Sequence, residues 1–68
     1  MKQINGRAFR VLVAEHGYTL RNFSRVSGIG QPTLNRFAHG KGGRLDTLAR
    51  AAKALDMSLS DLLKAVEA

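Results

Sequence analysis

The stretch TLRNFSRVSGIGQPTLNRFAHG, residues 19–40, decides the fold of this chain. It predicts a short helix, a glycine turn and a second short helix. Pairs of apolar residues spaced i, i+3 stand on both sides of the turn, and each pair marks one face of a helix. With one more apolar residue at the turn, they define the expected inner face: Phe23, Val26, Ile29, Leu34 and Phe37.

The turn and the outer face of the second of these helices carry the functional prediction. Gly28 lies where the chain must leave the first helix sharply, and glycine reaches positive φ without steric penalty. The outer face then presents side chains that can hydrogen-bond a base edge: Gln31, Asn35, Arg36 and His39. This arrangement is a helix-turn-helix, and we expect its second helix, residues 31–39, to read DNA in the major groove.

The composition of the 68 residues narrows the class of protein. A chain of this length forms one small domain, here residues 1–68, with a modest core. It has no cysteine and only 2 histidines, so we expect no disulfide, metal site or cofactor. The longest apolar run, residues 11–14, is too short to span a membrane, and the N-terminus MKQINGRAF lacks the apolar run of a signal peptide. We therefore expect a soluble cytoplasmic protein, nucleoid-associated when it is bound to DNA.

The net charge of +6 is unevenly distributed along the chain. Residues 1–45 contain eight of the 11 Lys and Arg residues but one of the 5 acidic residues, Glu15. Basic charge alone is a weak signal, because many solvated surfaces are rich in lysine and arginine. Its concentration on the half that contains the helix-turn-helix favours a nucleic-acid partner, bound through phosphate neutralisation and counterion release.

The segment before residue 19 predicts another helix, from about Asn5 to Glu15, with Gly17 capping its end. Its apolar stripe at helical spacing is Ile4, Ala8, Phe9, Leu12 and Val13. Thr19 is the natural N-cap of the second helix, Leu20 to Ser27. On the exposed face of that helix, Arg21 and Arg25 could contact phosphates or simply be solvated.

The third helix contains the only proline, Pro32, which we expect at its first or second position. Gln31 then lies at or near the cap, and the helix ends near His39. The fourth helix is predicted over residues 45–55, with a buried stripe of Leu45, Leu48, Ala49, Ala52 and Leu55. An SLSD capping box opens the fifth helix, residues 59–66. The prediction is an all-α fold, a compact five-helix bundle with short loops.

The patterns TLRNFSRVSGIGQPTLNRFAHGK and LDTLARAAKALDMSLSDLL resemble the Cro and phage-repressor-like helix-turn-helix family of five-helix DNA-binding domains. The resemblance runs from about Phe9 to Leu63. It implies that Gln31 pairs with adenine and that Arg36, about one turn further along the same face, pairs with guanine. Pro32 stands at another contacting position, where it could offer only apolar contact, for instance to a thymine methyl group.

The resemblance also implies phosphate contacts, which set the register on DNA while base contacts specify the sequence. His39 is either such a contact or a solvated cap residue. The residues implied lie at the start of helix two, along helix three and in the glycine-rich loop after it: Thr19, Arg21, Thr33, Asn35, His39, Lys41, Gly42 and Arg44.

Three departures from the family pattern bear on the fold. Ser24 stands where alanine is usual, and its hydroxyl needs a hydrogen-bond partner. Val13 and Ala38 occupy positions where many members have an arginine–glutamate ion pair, so apolar contact replaces the pair on both sides. Gly43 and Arg44 replace the serine or proline expected before helix four, which changes the phosphate-binding loop.

The leading hypothesis is a sequence-specific regulator of transcription that binds double-stranded DNA as a homodimeric repressor on a two-fold symmetric operator. We expect no small-molecule ligand. The candidate dimer surface on helix five and its preceding loop is Met57, Leu59, Leu63 and Val66. The alternative is an antitoxin-like or adaptor module that binds another protein, with DNA binding secondary. An enzyme is not expected, because the sequence has no Ser/His/Asp arrangement, metal cluster or paired carboxylates.

Overall fold

The computed structural model describes residues 3–68 and confirms the all-α prediction. Its helices are α1 (Gly6–Glu15), α2 (Leu20–Ser27), α3 (Gln31–Ala38), α4 (Leu45–Ala54) and α5 (Leu59–Ala65). Each boundary lies within about one residue of the predicted one. No helix in residues 3–68 has the length and apolar character needed to cross a bilayer.

Side-chain caps explain why three of the helices begin where they do. The side chains of Asn5, Thr19 and Ser58 accept hydrogen bonds from the backbone N–H three residues later. Each cap satisfies one of the donors that the first turn of a helix leaves unpaired, which stabilises a helix by about 1 kcal/mol. At the other end of α2, Gly28 adopts a φ of 74° and turns the chain towards α3. The cap at Thr19 and the turn at Gly28 are therefore both as predicted.

Three phenylalanines from the first three helices meet at the centre of the core. The ring centroid of Phe9 lies 6.3 Å from that of Phe23 and 5.5 Å from that of Phe37, and both pairs are edge to face. Such pairs contribute about 0.5–1.5 kcal/mol each beyond the burial of their area. Because Phe9 belongs to α1, this cluster fastens both helices of the helix-turn-helix to α1. The rest of the core is apolar: Ile4, Val13, Ile29, Leu34, Leu48, Ala51, Ala52, Leu55, Leu62 and Val66.

Helix α2 lies between α3 and α4 and contacts both of them. Helix α3 packs against α1 and α2, whereas α4 packs against α2 and α5, and α3 does not contact α4. The N-terminal segment adds a tie: Ile4 N–H donates to Gly40 O at 3.0 Å, and Asn5 N–H donates to Val66 O at 2.7 Å. A single antiparallel bridge pairs Gln3 with Lys41 beside it. The ends of α3 and α5 are thereby joined through residues 3–5.

Three apolar residues do not lie where the sequence predicted. Val26 was expected on the inner face of α2 but is 55% exposed, because the buried side of this short helix centres on Phe23 and Val26 lies to one side of it. Leu45 is 52% exposed, since the buried stripe of α4 begins one turn later at Leu48. Val66, a candidate for the dimer surface, is fully buried in the core and is not available for an interface.

Candidate nucleic-acid interface

Helix α3 begins without a side-chain cap. Its N-cap is Gly30, Gln31 is its first residue and Pro32 its second, as predicted. A proline here costs nothing, because the first turn of a helix has no acceptors for its N–H groups. The N–H of Gln31 has no partner among residues 3–68. The start of α3 thus presents an open donor and the positive end of a helix dipole, both suited to an anion.

The faces of α3 separate cleanly into a buried and an exposed side. Leu34, Phe37 and Ala38 are buried, and Thr33 is half-buried between the two sides. At 100° per residue, the exposed side chains fall within an arc of roughly 140°. Gln31 and Arg36 stand near its two edges. The full exposed set is Gln31, Pro32, Asn35, Arg36 and His39. The structure therefore brings the three predicted base-reading residues onto one face.

Two serines in α2 hold the turn that aims α3. Ser24 Oγ donates to Ile29 O at 2.5 Å, which supplies the partner that this buried-side hydroxyl required. Ser27 Oγ donates to Phe23 O at 2.6 Å and accepts from Ile29 N at 3.2 Å. Two of these three bonds end on Ile29, so they fix the path between α2 and α3. The sequence analysis recognised that the Ser24 hydroxyl needs a hydrogen-bond partner, but it did not predict the hydrogen bonds of Ser27.

Arg10 holds the other end of α3. Its Nη1 donates to Ala38 O at 2.8 Å across 28 residues of chain. Carbonyls in the last turn of a helix lack intrahelical partners and carry partial negative charge, so a guanidinium satisfies them well. Val13 and Ala38 are buried, in keeping with an apolar replacement of the family's ion pair. The sequence analysis did not predict this contact, although Arg10 lies only one turn before Val13.

Most residues predicted to contact phosphate are exposed around α3. Thr19, Arg21, Asn35, Lys41 and Arg44 are exposed. The side-chain oxygen of Thr19 accepts from Asn22 N at 3.1 Å, which leaves its hydroxyl proton available to another acceptor. The Nε of Arg44 donates to Asp46 Oδ1 at 3.1 Å in a solvent-exposed ion pair. This is the one ion pair within residues 3–68, so the cations of Arg21, Arg36 and Lys41 have no acidic partner there.

His39 ends α3 with a specific ring orientation. It is exposed, and its Nδ1 lies 2.7 Å from Asn35 O. A carbonyl oxygen can only accept, so Nδ1 carries the proton in this contact. In the neutral ring Nε2 is then an acceptor, and His39 can donate to a phosphate from Nε2 only as the imidazolium.

The glycine loop after α3 packs closely against the fold. Gly42 is buried, unlike the other residues predicted to contact phosphate. A Cβ on Gly43 would lie 2.7 Å from the ring of Phe37. Lys41 N–H donates to Arg36 O at 2.9 Å, which continues the end of α3. Close packing therefore gives the glycines a structural role, independent of any approach to a phosphate.

An exposed polar face on the second helix of a helix-turn-helix, together with Arg21, Arg36 and Lys41 that form no ion pair within residues 3–68, defines a DNA-binding domain of the transcription-regulator class. Residues 8–68 match the family model described as the Cro/C1-type HTH DNA-binding domain, and the chain belongs to this family. Members of the family are typically not enzymes.

A solved structure supports the same assignment. The chain is similar to the crystal structure of the clp gene regulator ClgR from C. glutamicum, with a TM-score of 0.75 and 31% sequence identity. The similarity covers 88% of this chain and 78% of that chain. Comparison with curated proteins gave no significant match.

Proposed function

We propose that the protein is a transcriptional repressor that binds a specific duplex operator by placing α3 in the major groove. The observation that carries this proposal is the exposed arc of α3. It holds Gln31 and Arg36 on one face while Leu34 and Phe37 anchor the opposite face in the core. A side chain can distinguish base pairs only from a helix whose rotation about its axis is fixed.

The proposed base contacts follow from side-chain chemistry. The amide of Gln31 suits the N6/N7 edge of adenine, and the guanidinium of Arg36 suits the O6/N7 edge of guanine. Pro32 has no donor and contributes apolar contact. The proposed phosphate contacts lie on this face or in the segments next to it: Thr19, Arg21, Thr33, Asn35, His39, Lys41, Gly42 and Arg44. For the buried Gly42 only backbone atoms could take part.

A homodimer on a two-fold symmetric operator is proposed on the basis of size. The Cα atoms extend over 24 × 22 × 20 Å. Half-sites of such operators lie one helical turn, about 34–36 Å, apart. One copy therefore reaches one half-site, and two copies are needed for both. The half-buried residues of α5 and its preceding loop, Met57, Leu59 and Leu63, remain candidates for the dimer surface.

Selection of binding sites from random duplex DNA tests the proposal. We expect enrichment of a palindrome whose half-sites are about one turn apart. Arg36→Ala should then lose roughly 1–3 kcal/mol of preference at one base pair of each half-site. Equal weakening on every sequence would show that Arg36 contacts only phosphate. Recovery of no palindrome would refute the dimeric operator.

Repression requires a second assay, because binding alone does not set the direction of control. A reporter promoter carrying the selected palindrome between its core elements should fall in output when the protein is produced. Arg36→Ala should restore the output at equal protein level. A rise in output with the wild-type protein would identify an activator instead.

A further inference from the structure

Val26 is the exposed centre of a surface that contains none of the proposed base or phosphate contacts. Two open surface depressions, of about 480 Å³ and 530 Å³, share Val26 in their lining. The first lies between α2 and α4 and is completed by Ser27, Arg50, Lys53 and Ala54. The second continues along α2 past Asn22 and Arg25 to Tyr18. We call the surface formed by these two depressions the α2–α4 groove.

The groove is apolar at its centre and basic around it. Val26 is 55% exposed and Ala54 is half-buried beside it. Arg25, Arg50 and Lys53 are exposed, and none of them forms an ion pair within residues 3–68. No acidic residue lines either depression. An occupant that matches this surface carries an apolar ridge flanked by carboxylates.

The position of the groove separates it from the reader helix. Helix α4 does not contact α3, and α2 lies between them. The proposed base-reading residues, Gln31 and Arg36, line neither depression. A phosphate backbone would use the cations but would gain nothing from an exposed valine in a groove. The apolar centre therefore favours a protein segment over nucleic acid.

We propose that the α2–α4 groove binds an acidic amphipathic helix of another protein, with an apolar side chain seated beside Val26 and carboxylates on Arg25, Arg50 and Lys53. An amphipathic helix laid in a groove is a common mode of recognition, in which apolar residues at i, i+3, i+4 and i+7 give the anchor. Complementary charge gives orientation and speeds association. The hydroxyl of Tyr18, which has no partner among residues 3–68, offers a further donor at the far end.

Isolated exposed valines are common on protein surfaces, so Val26 has to be compared with an exposed valine outside the groove. Val11 on α1 is such a residue: it is 47% exposed, in a helix, and lines neither depression. Lys64 on α5 is likewise an exposed lysine outside the groove. Substitutions at these two positions change hydrophobicity and charge equally without touching the proposed surface.

The test is an NMR titration of the ¹⁵N-labelled protein with a synthetic helical peptide that has a leucine ridge flanked by glutamates. We expect chemical-shift changes centred on Val26, Ser27 and Ala54. Val26→Asp should weaken peptide binding about tenfold or more, as for a central anchor residue. Val11→Asp should leave it unchanged. Because Val26 is exposed, the Asp variant should fold, and Val26→Thr offers a near-isosteric second variant that should also weaken binding.

Charge is tested separately. The variant Lys53→Glu should lose about as much affinity as Val26→Asp, and Lys64→Glu, which changes the charge equally outside the groove, should lose much less. A peptide with glutamine in place of glutamate should bind more weakly to the wild-type protein. Equal binding of both peptides, or equal losses in the groove and control variants, would overturn the proposal.

Duplex DNA in excess supplies the last discriminating condition. Persistence of the shifts at Val26 and Ala54 would support a groove separate from the DNA interface. Displacement of the peptide by DNA would overturn the proposal and assign the groove to phosphate contact. The peptide titration is first carried out without DNA, so its result can be interpreted even if operator binding fails.

Discussion

Replacement of Arg10 by methionine should show how firmly the end of α3 is held. The substitution keeps an unbranched side chain but removes the guanidinium whose Nη1 donates to Ala38 O at 2.8 Å. A hydrogen bond from a charged donor contributes about 1.5–3 kcal/mol when desolvated. Arg10 itself is exposed, and the released carbonyl can be hydrated in part. We therefore expect a loss of about 1 kcal/mol, near the upper end of a cation's usual effect at a helix C-terminus.

Thermal unfolding followed by circular dichroism measures this loss. For a domain of this size, 1 kcal/mol lowers Tm by about 4–8 °C. Arg7→Met is the matched control: it removes the same charge one turn earlier in α1, where Arg7 is exposed and makes no hydrogen bond within residues 3–68. Its Tm should stay close to that of the wild type. Equal decreases in the two variants would refute the reasoning, because net charge rather than the contact to α3 would then explain them.

Three other substitutions test the packing of the reader helix and its charge. Gly6→Ala would drive a Cβ into the backbone at the end of α3 and should destabilise the fold by about 1–3 kcal/mol. A Cβ on Gly30 would lie an ordinary 3.7 Å from Pro32 Cδ, so Gly30→Ala should destabilise the fold less. Urea unfolding of the two variants measures this difference. Ser24→Ala leaves the carbonyl of Ile29 without its hydrogen bond and should lower the free energy of unfolding by about 1–2 kcal/mol. Ser60→Ala, on the exposed face of α5, should be nearly neutral. Equal losses in the two variants would contradict the role of the Ser24–Ile29 bond. Lys41→Ala should lower the slope of log K against log salt by about 1 if Lys41 neutralises one phosphate, and an unchanged slope would remove it from the interface.

The helix boundaries were predictable because their causes are local. Thr19 and Ser58 cap the helices that follow them with their own side chains, and glycine at residue 28 permits the positive φ of the turn. Pro32 restricts where α3 can begin. Each of these signals acts within about four residues, so a reader of the sequence needs no knowledge of the tertiary structure.

The errors and omissions concern relations between distant parts of the chain. In an eight-residue helix, spacing groups Val26 with Phe23 but does not show which side the neighbouring helices will cover. The bond from Arg10 to Ala38 spans 28 residues and has no local signature. Val66 was named as a candidate for the dimer surface, but spacing alone does not separate the core side of a helix from an interface, and the residue is buried in the core. The candidate reading face was predictable, whereas the contacts that orient it were not.

The N-terminal tie has a thermodynamic consequence for the proposed dimer. Helices α3 and α5 do not contact one another, yet residues 4 and 5 bond to Gly40 and Val66 at their respective ends. A shift of α5 on pairing with a second copy would therefore be transmitted along two consecutive residues to the end of the reader helix. Linkage is reciprocal: whatever factor dimerisation adds to operator affinity, the operator adds to dimer affinity. In the proposed dimer, residues 4 and 5 would therefore couple assembly to the reading of the operator sequence.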